Sequence, residues 1–274
     1  MSLKRKVLGV IAATAIAFAT VGTAGQAMAA SVVDDILKRG KIIVGLSTFV
    51  PWAMRDRNGD VIGFEVDVIN KLAKDMGVKV ELVPTAFDGI IPALLAKKFD
   101  VIITGMVVKP KRNLTVNFSK PYAYLTVGMA ANKKMAEKAG LKTMEDWNSR
   151  SVTLTIKRGT APGETAKNNF PKARVRQFDD DAQALQDVLN GNAHAFLTSE
   201  PKPTHYVLDN PGVLYHPFGR GPFDPSASAF AVRKGDPDAL NFFNNWIQYH
   251  ELNGWLKATH DKWFKGRDWK SRLK

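Results

Sequence analysis

From residue 41 the chain reads KIIVGL, a lysine followed by an apolar run, together of strand length. Such a run, bounded by polar residues, suits a strand covered on both faces. A short polar helix with Asp34, Asp35, Ile36 and Leu37 is expected before it, and Asn58-Gly59-Asp60 after it reads as a hairpin-type turn. Phe64, Val68, Ile69, Leu72 and Met76 then recur at helical spacing, and Gly77 is placed to stop that helix before a second strand at 78–83. Asp88 is expected to N-cap a helix carrying Ile90, Ile91, Leu94 and Leu95, which leads into a strand at 99–103. The order βαβαβ predicts a parallel sheet with right-handed crossovers.

Residues 122–129, YAYLTVGM, are apolar and extended, and a lysine-rich connector at 132–142 separates them from a second alternating set. Here 151–156 reads as a strand running into Lys157-Arg158-Gly159-Thr160, with a helix from Pro162, a strand at 174–178, a helix near 180–189 ending at Gly191, and a strand at 193–197. Thr198-Ser199-Glu200-Pro201 opens a further helix. The Gly- and Pro-rich stretch 217–225 fits a segment crossing between two lobes, and 227–232 is again a strand. Helices at 238–249 and 252–264 carry Trp246, Trp255 and Trp263, which read as packing residues. No internal sequence repeat is visible.

Composition narrows the class. Lys4, Arg5 and Lys6 precede an apolar run to about Val21, and Ala27-Met28-Ala29 follows, the pattern of a signal peptide cleaved after about Ala29. The 274 residues include no cysteine, which excludes a lipid anchor on cysteine and any disulfide framework. A soluble, periplasmic protein of about 245 residues is expected, room for one large α/β domain or two lobes. The formal charge of +13, or +10 without the three leader cations, invites a nucleic-acid reading. The basic residues are spread along the chain without interleaved aromatics, so no nucleic-acid partner is expected. The five histidines lack metal-ligand spacing on one helical face and no phosphate-loop or nucleophile-elbow motif occurs, so neither a metal nor a cofactor is expected.

The candidate chemistry centres on FDVIITGMVVKPKRNLTVNF, residues 99–118. A buried strand ends in a loop at Thr104 and Gly105, and Pro110 and Arg112 open a helical turn. Strand ends in open α/β sheets offer backbone N–H groups, and a guanidinium beside them suits a carboxylate. Phe49 and Trp52, just past the first strand, are candidates for a pocket wall.

Taken together, NGDVIGFEVDV, FDGIIPALLAKKFDVIITGM, the Arg112 turn, KRGT and GDPDALNFFNNWI resemble the family 3 periplasmic solute-binding proteins, the polar amino-acid receptors of ABC importers, over essentially the whole mature chain. The resemblance implies the α/β, two-lobed periplasmic-binding-protein fold of type II: two βαβ lobes joined by two crossing strands. Lobe 1 would be built from 30–124 and 222–274, and lobe 2 from 125–221. It implies that Arg112 holds a ligand carboxylate, that Thr104, Gly105 and the backbone of Val107 flank it, and that Phe49, Trp52 and Phe87 form the wall. Gly159, Thr160 and Ala161 would close over the same carboxylate from the second lobe. Ser199 stands where many relatives place an aspartate for the ligand's ammonium, with Glu200 next to it. Leu46 replaces the acid that receptors for basic amino acids tend to have, and Lys157 favours a ligand side chain ending in an amide or carboxylate. The implied function is capture of a small carboxylate-bearing solute, a polar amino acid of amide or acidic type, by hinge closure and delivery to an inner-membrane permease by a monomer. The competing reading is an enzyme similar to the cyclohexadienyl dehydratases, with Glu200 as general acid.

Overall fold

The apolar runs become strands of one mixed sheet. A computed structural model describes residues 31–273, so the expected signal peptide lies outside the described residues. In chain order the strands are β1 (Lys41–Leu46), β2 (Met54–Arg55), β3 (Val61–Ile62), β4 (Lys79–Pro84), β5 (Val101–Ile102), β6 (Asn117–Asn132), β7 (Thr153–Lys157), β8 (Arg174–Phe178), β9 (Ala195–Ser199), β10 (Leu214–Tyr215) and β11 (Phe223–Val232). Nine of them form a sheet in the order β4-β1-β5-β11-β6-β9-β7-β8, with β10 beside β6, while β2 and β3 pair as a separate hairpin around the Asn58-Gly59 turn.

The sheet has two parallel wings. β4, β1 and β5 run parallel on one side, and β9, β7 and β8 run parallel on the other. Between them β6 and β11 are antiparallel. The 16-residue β6 starts opposite Val232 and ends paired with β9 from Val127 to Ala131, so it belongs to both wings. The register of β11 on β6 slips at three places between Phe223 and Ala231. Each slip leaves residues outside the ladder and adds local twist.

Each wing has its own apolar cluster. Ile42, Val44, Leu46, Phe64, Ile69, Phe230 and Phe243 belong to the first, and Val127, Met129, Trp147, Leu154, Ile156, Phe170 and Leu197 to the second. Helix Phe64–Met76 ends at Gly77 and buries Phe64, Val68, Ile69 and Leu72, as its spacing predicts. Trp246 and Trp263 are buried, and their indole N–H groups donate to Asp75 (2.9 Å) and Asp67 (2.7 Å), which satisfies the polar end of each ring.

Some expectations need correction. Asp88 caps nothing: it lies inside a short 3₁₀ turn, Phe87–Gly89, and the residue before helix Ile90–Leu95 is Gly89, with no side-chain cap. The strand expected at 99–103 is confined to Val101–Ile102, where β1 and β11 both reach it. The lysine-rich connector contains a helix, Lys133–Lys138, whose first turn is capped by the Asn132 side chain accepting from the Met135 N–H at 3.1 Å. Only Ala136 of that helix is buried, so it offers no apolar stripe to read. Among the described residues no helix is long and apolar enough to cross a membrane.

Candidate functional site

The carboxyl ends of β1, β5, β7 and β9 meet where the two wings face each other, the position at which open α/β sheets expose unpaired backbone groups. A cavity of about 30 Å³ lies there. From the first wing it is lined by Phe49, Phe87, Thr104, Gly105, Val107 and Arg112. From the crossing strand and second wing come Leu125, Lys157, Thr160, Ala161, Pro162, Thr198 and Ser199. A volume of that order holds a water or two. An amino acid needs the wings to part.

Arg112 sits in the four-residue helix Pro110–Asn113, opened by the proline. Its Nη1 donates to the Val107 carbonyl oxygen (2.8 Å) and its Nη2 donates across to the Gly159 carbonyl oxygen (3.0 Å). The guanidinium carbon is 5.4 Å from the centre of the Phe87 ring. Burial pulls its pKa down, partly offset by Glu164, from a value high enough that the group remains a cation at neutral pH. Beside it Lys109 forms an ion pair with Glu164 (2.6 Å) that also links the two wings, and the lysine keeps the Glu164 carboxyl below its ordinary value.

Lys157 answers Arg112 from the other side. It ends β7, is buried, and its Nζ donates to the Thr48 carbonyl oxygen (2.9 Å) with the Ser47 hydroxyl at 3.5 Å. Behind the wall lies a second lysine that the sequence did not single out. Lys202 Nζ is 3.4 Å from the centre of the Phe49 ring and pairs with Asp181. Burial lowers the Lys202 pKa to about 8 against the pull of Asp181.

The hydroxyls expected at the site are mostly spent internally. Thr104 Oγ1 accepts from the Ser47 N–H (2.7 Å) and donates to the Ser47 carbonyl oxygen (3.2 Å), which ties the ends of β1 and β5 together. Thr160 Oγ1 donates to the Lys157 carbonyl oxygen (2.6 Å). The Gly105 N–H donates to the Tyr122 hydroxyl (3.1 Å), which donates in turn to the fully buried Glu65 (2.5 Å). Glycine is needed at 105 for two reasons. Its φ is +58°, and a Cβ there would stand 3.1 Å from the Trp52 ring. Gly105→Ala is expected to lower stability by ~1–3 kcal/mol from left-handed strain and the crowded ring, measurable by urea denaturation.

Two candidates lie elsewhere. Trp52 is 1% exposed and packs edge-on against Phe64 and Phe264, at 5.6 and 4.8 Å between ring centres, so it backs Gly105 from the core and lines no part of the cavity. Glu200 donates its N–H to the Thr126 carbonyl oxygen (2.9 Å) and lines a neighbouring groove with Tyr124, Thr126, Pro225, His260 and Phe264, which shares Leu125 with the cavity. Its buried Oε1 would be 2.5 Å from any Cβ on Gly128, a residue whose bareness admits the carboxyl. Ser199 ends β9, and Glu200 begins the turn that follows it. Leu125, Pro162 and Thr198 line the cavity without having been anticipated. Thr198, expected to open a helix after the strand at 193–197, lies instead on β9, and its place next to Ser199 is the one signal that could have found it; Leu125 falls in the extended segment expected at 122–129.

A sequence profile of the bacterial extracellular solute-binding proteins, family 3, matches residues 42–266. The L-cystine-binding protein TcyJ of Escherichia coli (strain K12) is 31% identical over 235 residues, 84% of this chain and 85% of that protein. Among solved structures, the ancestral amino acid-binding protein AncCDT-1, a precursor of cyclohexadienyl dehydratase, matches with a TM-score of 0.77 at 38% identity, covering 86% of this chain and all of that one. A binding component of an ABC transporter from Wolinella succinogenes DSM 1740, complexed with lysine, matches with a TM-score of 0.79 at 36% identity, covering 85% of this chain and 99% of that one.

Proposed function

Because the chain belongs to the bacterial extracellular solute-binding proteins of family 3, we propose that it captures a small carboxylate-bearing solute in the periplasm by closure of its two lobes and delivers it, as a monomer, to the permease of an ABC importer. The observation that carries this reading is the cleft itself: Arg112 reaches it from one wing and Lys157 from the other, and each already donates a hydrogen bond across it. A carboxylate entering the opened cleft takes over donors that otherwise bridge carbonyl oxygens, so the bound solute replaces the contacts that hold the lobes together. Phe49 and Phe87 supply the apolar walls.

The competing reading is an enzyme on the same fold, prompted by the relation of one matched structure to cyclohexadienyl dehydratase. The position of Glu200, in the groove beside Tyr124 and His260, favours the receptor reading, since a general acid has to reach the solute held by Arg112. A thermal-shift screen of the solute-stripped protein against the twenty amino acids and small carboxylates tests the proposal. Saturation at a hundred times the dissociation constant adds about 2.7 kcal/mol of stability. A stabilising solute from this panel is the expected result. Aromatic product formed from prephenate or arogenate would replace the receptor by the enzyme.

A further inference from the structure

The charges around the cleft constrain the solute more tightly than the family does. The two charged side chains that line the cavity, Arg112 and Lys157, are both cations and come from opposite wings. Among the described residues no carboxylate lines it. Of the acids around it, Asp181 pairs with Lys202 behind Phe49, Glu164 pairs with Lys109 at the rim, Glu200 lies in the neighbouring groove, and Asp88, exposed beside Phe87 and Gly159, lies outside the lining. The Lys202–Asp181 pair behind the wall is internally neutralised, so the uncompensated charges at the cavity are those of Arg112 and Lys157. The hydroxyls of Thr104 and Thr160 are committed to Ser47 and Lys157, which leaves those of Thr198 and Ser199 as the neutral polar groups at the second wing.

An ammonium brought into this space would lose its hydration with no counter-charge and would sit among like charges. A second carboxylate would instead neutralise the second cation. We infer that the solute is a small dicarboxylate without an ammonium group, one carboxylate held by Arg112 and the other by Lys157, with the apolar walls of Phe49 and Phe87 along its methylenes. The inference rests on the receptor reading and narrows it.

Isothermal titration of the stripped protein with matched pairs tests it: glutarate against glutamate and succinate against aspartate, with glutamine, lysine, cystine and butyrate as further probes. The expected result is that at least one dicarboxylate binds at least tenfold more tightly than its amino-acid counterpart and more tightly than the four other probes. Glutamate or aspartate binding as well as its partner, or glutamine, lysine, cystine or butyrate binding best, overturns the dicarboxylate and leaves the receptor standing. Binding of none of these solutes overturns both. Two variants read the same claim from the protein side. Lys157→Met is expected to weaken the dicarboxylate at least thirtyfold and butyrate less than threefold, and equal loss for both counts against the assignment. Ser199→Asp places a carboxylate on the cavity wall and is expected to move the glutamate-to-glutarate affinity ratio at least tenfold toward glutamate. An unchanged ratio in that variant, which needs Lys157 intact and folded, also counts against it.

Discussion

Arg112→Ala is expected to weaken solute binding by roughly thirtyfold to several thousandfold, the equivalent of about 2 to 5 kcal/mol. The magnitude follows from where the guanidinium sits. It is largely withdrawn from water, it is oriented by the Val107 carbonyl oxygen, and its Nη2 reaches the Gly159 carbonyl oxygen of the opposite wing. Removing it leaves a carboxylate in a closed cleft without the charge that offset its desolvation. Arg112→Lys is expected to recover only part of the loss, because an ammonium cannot present the paired donors of the planar fork. Titration calorimetry with the tightest solute found by the thermal-shift screen decides the matter. Affinity within twofold of wild type in Arg112→Ala would show that the carboxylate is held elsewhere.

The second large effect concerns pH. Burial raises the Glu65 pKa from its ordinary 4.5 to about 8, against the opposing hydrogen bond from the Tyr122 hydroxyl. Tyr122 itself is pushed above its ordinary value by its own burial and by Glu65. The folded protein therefore keeps the Glu65 proton over a range in which the unfolded chain has released it. Stability from this group is fully present below about pH 4.5 and is lost as the pH rises through about 8. Glu65→Gln keeps the acceptor for Tyr122 and removes the titration. Its stability relative to wild type is expected to rise by about 2 to 5 kcal/mol between pH 4.5 and 8.5.

The difference between the two proteins is the quantity to follow, because other groups tilt the profile too. His205, whose burial lowers its pKa from 6.5 to about 4, contributes stability present above 6.5 and lost as the pH falls through 4. Urea unfolding of both proteins across that range supplies the comparison. Parallel profiles would mean that Glu65 is ionised in the folded state. The effect reaches the binding site, since Tyr122 also takes the N–H of Gly105, a residue that lines the cavity.

Legibility from sequence followed local pattern. KIIVGL coincides with β1, and the helical spacing from Phe64 ends where Gly77 does. The long β6 showed only its middle, 122–129, because Asn117, Ser119 and Lys120 interrupt the apolar run while still pairing or flanking the ladder with β11. Most of the candidate site was legible because strand ends and their loops converge in a parallel sheet: Arg112, Lys157, Phe49 and Ser199 lie around one cavity although up to 150 residues separate them. Trp52 and Glu200 depend on which way a side chain turns within a loop, and neighbouring positions gave no period from which to read it. The Glu65–Tyr122 pair is a contact between residues 57 apart, one on a helix and one on a crossing strand. Lys202 likewise meets Phe49 only after both wings have formed. Such pairings belong to the assembled core and leave no local mark.

The slips of β11 against β6 bear on how the receptor would work repeatedly. A regular two-stranded ribbon resists shear, because bending it strains every rung at once. Here the ladder is interrupted at three points between Phe223 and Ala231, with residues of both strands left outside it, so bending would strain fewer rungs there. In the proposed receptor, opening of the cleft would then be an elastic excursion about that segment, with the parallel rungs of β1 on β4 and of β7 on β8 left intact. The stiffness of such a spring and the proposed grip on the solute would reside largely in different residues. Selection could therefore retune how fast the protein cycles without touching what it holds.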